Sequence, residues 1–315
     1  MKKKYPLNFP HGIMFHRFHK KGKKSSGAGS ISQDELERIL KFIGIKNIVP
    51  PNQWIEKIKN KSLKKNDICL TFDDGLKSQY NCALPILKKY NLKAFFFIFS
   101  SVFNNQIDNI EFYNKLIFEN FRDGKEFSKK FLETLDLDLD IFENTKYLKY
   151  YLNMKRYAPF YSKEEIKYRY IRNYHLSPQK LKNTMTKIFK LKKVDFIKAR
   201  SLWLSLDELK KLNNLGHTIG LHSDTHDSNF KGLSFNKQKQ EYERNCNFIY
   251  KTTKYKPLSM SHPLGSYNKN TLKILKQMKI VCGFRSTLLS DSNINNSNLE
   301  IAREDPFNIL KMLKN

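Results

Sequence analysis

Short apolar runs alternate with amphipathic stretches of ten or more residues along most of this chain, and this alternation restricts the fold more than any other feature. Apolar runs of this length are typical of buried strands, whereas apolar residues spaced three and four apart mark one face of a helix. Repeated βα units build a parallel sheet or a barrel. We expect strands at residues 12–15, 47–49, 68–72, 94–99, 218–221, 257–260 and 280–284.

Helix starts are marked at Ser32 and Ser205, each followed three residues later by a glutamate, which is capping-box spacing. Other amphipathic stretches predict helices at residues 79–90, 236–250 and 269–278.

Residues 104–200 break the alternation, because their apolar residues keep helical spacing and no strand pattern stands out. Tyrosines and basic residues interleave there, which suits packing between insertion helices or a sugar or lipid surface. We therefore predict a single domain over residues 1–315, a distorted TIM-like (β/α) barrel of about seven strands. Residues 104–200 form a helical insertion within it.

Charge is the outstanding feature of the composition, with 58 basic against 30 acidic residues and a net charge of +28. Such a field attracts nucleic acid, anionic lipid or phosphorylated substrates. Lysine is accompanied by abundant Asn and Ile, the signature of an AT-rich genome, and no nucleic-acid-binding motif is present. We expect no specific nucleic-acid partner and leave peripheral association with an anionic membrane open.

Targeting signals and cysteines point to one compartment. The longest dense apolar run, residues 94–103, is about half the ~20 residues of a membrane-spanning helix. The N-terminal segment lacks the apolar region of a signal peptide, and the four cysteines form no CxxC pair. We expect reduced thiols and a cytoplasmic location.

A pair of carboxylates follows the expected strand 68–72, where Asp73 and Asp74 precede Gly75. Two adjacent carboxylates at the end of a buried strand oppose joint ionisation unless a cation compensates them. Because adjacent residues of an extended segment point in different directions, one carboxylate can bind the cation while the other acts on a water. A plain strand-to-helix turn is the alternative.

Two histidines, His222 and His226, follow the expected strand 218–221 at a spacing that brings two imidazoles to one metal on a helical turn or tight loop. With Asp74 they would make three protein ligands and leave a position for water, the arrangement of catalytic zinc sites. His217 precedes the strand in a Gly-His turn, and we interpret it as structural.

The combination of TFDDG with the later HSDTH resembles the first two motifs of the polysaccharide deacetylase family, carbohydrate esterases that remove N-acetyl groups from amino sugars. The segment leading into HSDTH and the segment SHPLGSYN extend the resemblance. It implies that Asp73 is the base that activates water. It also implies that Asp74, His222 and His226 bind a divalent metal, most plausibly Zn²⁺.

The chain departs from the family pattern in its third motif and, as described below, in lacking a C-terminal histidine. The third motif contains His262, Pro263 and Leu264 where the family usually has an arginine before the proline and an aromatic residue after it. Arg303 resembles an arginine of the permuted branch typified by poly-N-acetylglucosamine deacetylases. This resemblance implies that Arg303 pairs with Asp73 in this chain; a surface salt bridge is the alternative. The backbone N–H near Leu264 would stabilise an oxyanion.

The usual C-terminal catalytic histidine is missing, since no histidine follows His262. The segment MFHRF resembles the first strand of the permuted branch, in which an N-terminal histidine replaces it. This resemblance assigns the acid role to His16 at the barrel mouth. His19 is the competing candidate, but we expect it in a solvated loop.

We therefore expect metal-assisted hydrolysis of the N-acetyl group of an amino sugar. The sugar could belong to a polymer, a lipid-linked glycan or a sugar nucleotide. Two alternatives stay open: a related deformylase or amidase, and an inactive barrel that binds glycan or nucleic acid. The chemistry of attack on any small amide is the same, so the motifs do not separate the first alternative from deacetylation.

Overall fold

The structure is a computed structural model that describes residues 4–20, 22, 29–104, 110–135, 139–157, 161–194, 201–286 and 297–314. The chain forms two compact units, residues 1–107 with 201–315 and residues 108–200. In the described residues, the strands are β1 His11–Phe15, β2 Phe18–His19, β3 Ile31–Ser32, β4 Ile68–Asp73, β5 Phe95–Ile98, β6 Thr218–Leu221, β7 Ser259–Ser261, β8 Cys282–Phe284 and β9 Arg303–Glu304.

The helices of the first unit pack around these strands and join them. They are α1 Gln33–Ile43, α2 Pro51–Lys59, α3 Leu84–Lys89, α9 Leu206–Asn214, α10 Phe235–Thr253, α11 Lys269–Gln277 and α12 Pro306–Lys314, numbered along the whole chain. The second unit contains the intervening helices α4 Ile110–Asn120, α5 Gly124–Thr134, α6 Thr145–Tyr157, α7 Lys163–Tyr174 and α8 Pro178–Leu191.

Seven parallel strands form the barrel in the order β8-β7-β6-β5-β4-β1-β9. Ile301, just before β9, makes a parallel bridge to Phe284 of β8, so the ring of strands is nearly closed. The predicted distorted (β/α) barrel is thereby confirmed. Because all strands run in parallel, their carboxyl ends meet at one mouth, where such barrels build their sites.

Side chains fill the barrel interior rather than leaving a pore. The rings of Phe95, Phe97 and Phe284 pack together there, with centroids 5.5 to 5.7 Å apart. Cys69 belongs to the same buried cluster. Gly220 is required beside them, because a Cβ at that position would lie 2.6 Å from the Phe97 ring. Strand alternation then directs Cys69, Thr71 and Asp73 of β4 to the same inner face.

The capping boxes expected at two helix starts are present. Ser32 and Ser205 each accept a hydrogen bond from the N–H of the glutamate three residues on, and that glutamate accepts from the serine N–H. These reciprocal bonds satisfy N–H groups that have no partner within a helix, which explains why α1 and α9 begin at those residues.

Two expected elements differ from the structure. Residues 47–49 are not a strand: Ile48 makes one bridge to Ile68, because α1 ends at Gly44 and α2 begins at Pro51 and only a 3₁₀ turn fits between them. The expected helix 79–90 opens with a π-helical turn, Gln79–Ala83, before α3. Pro85 in the first turn of α3 has no N–H to continue an α-helical ladder backwards.

The second unit is helical in its described residues. Residues 105–109, 136–138, 158–160 and 195–200 of the expected insertion lie outside the described residues. The interleaved tyrosines pack with one another: the rings of Tyr147 and Tyr170 lie 5.1 Å apart, on Ile166. This arrangement favours the packing interpretation of that sequence pattern.

Two further expectations can be compared with the described residues. All four cysteines are free thiols, and Cys69, Cys82 and Cys282 are buried. Within the part of the chain that the structure describes, no helix has the length and apolar character needed to cross a membrane.

Candidate active site

Asp73 and Arg303 form a buried ion pair at the barrel mouth. Both are at most 2% exposed, and Arg303 Nη1 and Nη2 donate to Asp73 Oδ1 and Oδ2, each at 2.8 Å. Ser261 Oγ also donates to Asp73 Oδ2, at 3.1 Å. Burial works to raise the pKa of Asp73, but the Arg303 guanidinium and His222 lower it below its usual value. Asp73 is therefore an ionised carboxylate held in one orientation.

Replacing Arg303 by methionine should destabilise the fold, because it leaves the Asp73 carboxylate buried without a cation. Breaking a buried pair in this way typically costs about 3–5 kcal/mol of unfolding free energy. The double variant Arg303→Met/Asp73→Asn removes both charges and should recover most of the loss. Urea denaturation followed by circular dichroism measures the free energy of unfolding of both variants. A decrease of less than ~1 kcal/mol in the single variant would contradict the buried pair.

Asp74 turns away from Asp73 because its backbone adopts the left-handed region, with φ 73°. An aspartate tolerates this conformation better than most residues. Gly75 follows with φ 62°, where a Cβ would lie 2.9 Å from Ile98. The two adjacent carboxylates therefore separate, and Asp74 points toward the histidines that follow β6.

Asp74, His222 and His226 form a buried cluster. Asp74 Oδ1 lies 3.5 Å from His222 Nε2 and 3.4 Å from His226 Nε2. The three ligand atoms all lie within 4.8 Å of one another. Burial works to raise the pKa of Asp74, but His222 and His226 hold it well below its usual range.

The donor set of this cluster fits a divalent metal ion. Asp74 Oδ1 is buried and has no hydrogen-bond partner among the described residues, which is costly unless something else satisfies it. His222 Nδ1 contacts the Ser261 carbonyl at 2.8 Å, so the ring donates there and leaves Nε2 free to bind a metal. Burial lowers the pKa of His226 to about 4. Two imidazole nitrogens and one carboxylate oxygen are ligands typical of zinc.

The loop that carries the two histidines is held by polar residues of α10. Glu241 Oε2 accepts from Asp224 N at 3.1 Å and from Thr225 N at 2.8 Å. Asn245 Oδ1 accepts from His222 N at 2.9 Å, and Asn245 Nδ2 donates to Ile98 O at 3.0 Å. Neither Glu241 nor Asn245 was expected at the site from the sequence. Their signal was the four-residue spacing of polar side chains on the face of α10 that packs on the barrel.

His16 lies at the same mouth, directly after β1. Its Nε2 is 3.9 Å from Asp73 Oδ2 and 4.0 Å from Asp74 Oδ2, and its side chain is 33% exposed. A histidine that borders both carboxylates and still reaches solvent can exchange protons with a substrate bound there.

His19 does not belong to this cluster. The expectation that it lies in a solvated loop is wrong: it is a half-buried residue of β2, paired with Ser32 of β3, and its Nδ1 contacts Ser30 Oγ at 2.9 Å. His217 is structural, as interpreted from the sequence, since its Nδ1 accepts from Ala94 N at the opposite end of β6.

The segment after β7 contains Leu264 in a tight turn with φ 50° and a side chain that is 46% exposed. In this turn Gly265 N donates to His262 O and Ser266 N donates to Pro263 O. His262 is fully buried and stacks on Tyr267, and its Nε2 contacts Leu299 O at 2.8 Å. The imidazole at His262 is thus part of the barrel wall, and burial lowers its pKa to about 3.

Comparison with known proteins places this geometry in a family. Residues 60–136 and 176–283, more than half of the chain, match the family model described as "Polysaccharide deacetylase". The chain belongs to the polysaccharide deacetylase family, and as such is a hydrolase of non-peptide carbon–nitrogen bonds. His16 and Arg303 lie outside both matched stretches. No curated protein sequence gives a significant match.

Solved structures show the same fold over nearly the whole chain. The Streptococcus pyogenes deacetylase PplD, in complex with acetate, is 17% identical, with a TM-score of 0.58 over 98% of this chain and 99% of that one. A de-N-acetylase from Aggregatibacter actinomycetemcomitans is 17% identical, with a TM-score of 0.55 over 96% and 98% of the chains. IcaB from Ammonifex degensii is 12% identical, with a TM-score of 0.52 over 94% and 91%. These similarities show that the chain shares the fold of those proteins.

Proposed function

We propose that the protein hydrolyses the N-acetyl group of an amino sugar in a surface glycan or its precursor, with a divalent metal, most plausibly Zn²⁺. The observation that carries this proposal is the position of Asp73 at the barrel mouth beside the cluster of Asp74, His222 and His226. A paired, oriented carboxylate next to three metal-binding side chains is the arrangement that metal-assisted hydrolysis requires.

Each residue of the site has a separate role in the proposed reaction. Asp73 takes a proton from a water whose oxygen attacks the amide carbonyl carbon, and Arg303 holds that carboxylate in place. His16 then donates a proton to the sugar nitrogen as the carbon–nitrogen bond breaks, which releases acetate and the free amine. A divalent ion bound by Asp74, His222 and His226 supplies Lewis-acid polarisation of the reacting groups. The Leu264 N–H is proposed to stabilise the oxyanion.

The substrate proposal extends to lipid-linked or nucleotide-linked sugars in the cytoplasm. A net charge of +28 supports substrates that carry phosphate, because opposite charge raises their local concentration. The same field supports peripheral association with an anionic membrane. No specific nucleic-acid partner is proposed.

The proposal is tested by measuring acetate, formate and bound metal together, on N-acetylglucosamine oligomers, on nucleotide-linked N-acetylglucosamine and on the corresponding N-formyl sugars. We expect bound metal and acetate release. Metal with formate release from an N-formyl substrate would favour the deformylase or amidase alternative instead. If the protein binds no metal and releases neither acetate nor formate, the chain would be an inactive binding barrel.

His16→Ala should retain metal and fold but lose turnover, since departure of an amine is slow without a proton on nitrogen. Removal of a general acid typically costs about 10² to 10⁴ in rate. His19→Ala is the matched control, a second histidine three residues away that does not reach the carboxylates, and should be nearly normal. The reverse pattern in an acetate-release assay would remove His16 from the mechanism.

A further inference from the structure

The spacing between His16 and Asp73 depends on how two neighbouring strands end. β1 and β4 are parallel, in a register that pairs Phe15 with Phe72 as its last residues. One step beyond, His16 stands beside Asp73, where the regular ladder between the two strands stops. Backbone carbonyls at such a point need other partners, because buried polar groups without a hydrogen bond are costly.

Gln79 supplies a partner to both carbonyls. Its Nε2 donates to His16 O at 3.0 Å and to Asp73 O at 2.5 Å. The side chain is fully buried, and within the part of the chain that the structure describes its Oε1 has no hydrogen-bond partner. An amide rotated by half a turn would place Oε1 against two carbonyl oxygens, so the two strand ends themselves determine its orientation.

The turn that carries Gln79 is tied to the same segment by a second bond. Phe18 N donates to Ser78 Oγ at 3.2 Å, just after β1. The π-helical turn Gln79–Ala83 begins at this point and directs the glutamine inward. π-helical turns are frequent at functional sites.

We propose that Gln79 is a positioning residue that fixes the distance between His16 and Asp73, the acid and base of the proposed reaction. The inference rests on the proposed function, because the distance matters only if these two side chains act on one substrate. Without the two bonds from Gln79, His16 would no longer be held 3.9 Å from Asp73 Oδ2. Misplacement of a catalytic group by about 1 Å can reduce rate by 10²-fold.

The test compares two metal-loaded full-length variants, Gln79→Met and Gln33→Met. Methionine keeps the length of glutamine and removes both donors. Gln33 is the matched control, since its Nε2 donates at 3.1 Å to Cys82 O, in the same π-helical turn but away from both strand ends. Acetate release from N-acetylglucosamine oligomers gives kcat and KM, and the histidine signal of His16 in an NMR spectrum, assigned with His16→Ala, reports its surroundings without substrate.

For Gln79→Met we expect a kcat at least about tenfold lower than that of wild type, an unchanged KM, full metal content and a shifted His16 signal, with Gln33→Met like wild type. An unchanged kcat and His16 signal would overturn the proposal. Equal effects in both variants, or loss of metal in Gln79→Met, would also overturn it, because Gln79 would then support the fold in general. Because the NMR signal needs no substrate, it tests Gln79 even if wild type releases no acetate and the proposed function fails.

Discussion

Asp73→Asn will bind metal like the wild type and lose turnover by a factor of about 10² to 10⁴, the usual cost of removing a general base. The asparagine amide is close in shape to the carboxylate but cannot accept the proton of water. Acetate release under saturating substrate, together with metal content by mass spectrometry, measures both properties on one preparation.

Two outcomes of that experiment would contradict the assignment. Loss of metal together with activity would make Asp73 a ligand and exchange its role with that of Asp74. Retained turnover would remove Asp73 from the reaction. Since the substitution leaves buried Arg303 without its carboxylate, thermal unfolding of the same sample must show that the fold persists at the assay temperature.

His222→Ala will abolish tight metal binding and, with it, activity. The alanine removes one of the three proposed protein ligands from a cluster whose nitrogen and oxygen atoms lie within 4.8 Å of one another. The metal affinity should fall by more than the roughly 10- to 100-fold that is typical when a residue that only hydrogen-bonds to a ligand is replaced. Titration calorimetry with Zn²⁺ on metal-stripped protein gives the affinity directly.

His217→Gln is the matched control for this experiment. His217 is also buried, but it lies at the opposite end of β6, where its Nδ1 accepts from Ala94 N. It should keep the zinc affinity of the wild type. Undiminished metal occupancy in His222→Ala would show that the proposed ligand set is wrong.

Much of the fold could be predicted because its signals are local. The six-residue strand β4, the capping boxes of α1 and α9 and the helical insertion all have short-range patterns in the chain. The strand expected at 47–49 failed for the same reason: Ile48 and Val49 gave a local β signal, but Gly44 and Pro51 leave no room for a ladder. The two-residue strands β2 and β9 are too short to give a signal of their own.

The sequence by itself predicted the candidate residues at the mouth, because the paired carboxylates and the two histidines four residues apart each follow directly after a strand. The resemblance left two alternatives for Arg303, a pair with Asp73 or a surface salt bridge, and only the tertiary structure decided between them. Arg303 meets Asp73 because β9 lies beside β1, and Gln79 reaches two strand ends because β1 and β4 share a register. Such contacts depend on the pairing of strands that are far apart in sequence, which leaves no pattern within any single stretch of the chain.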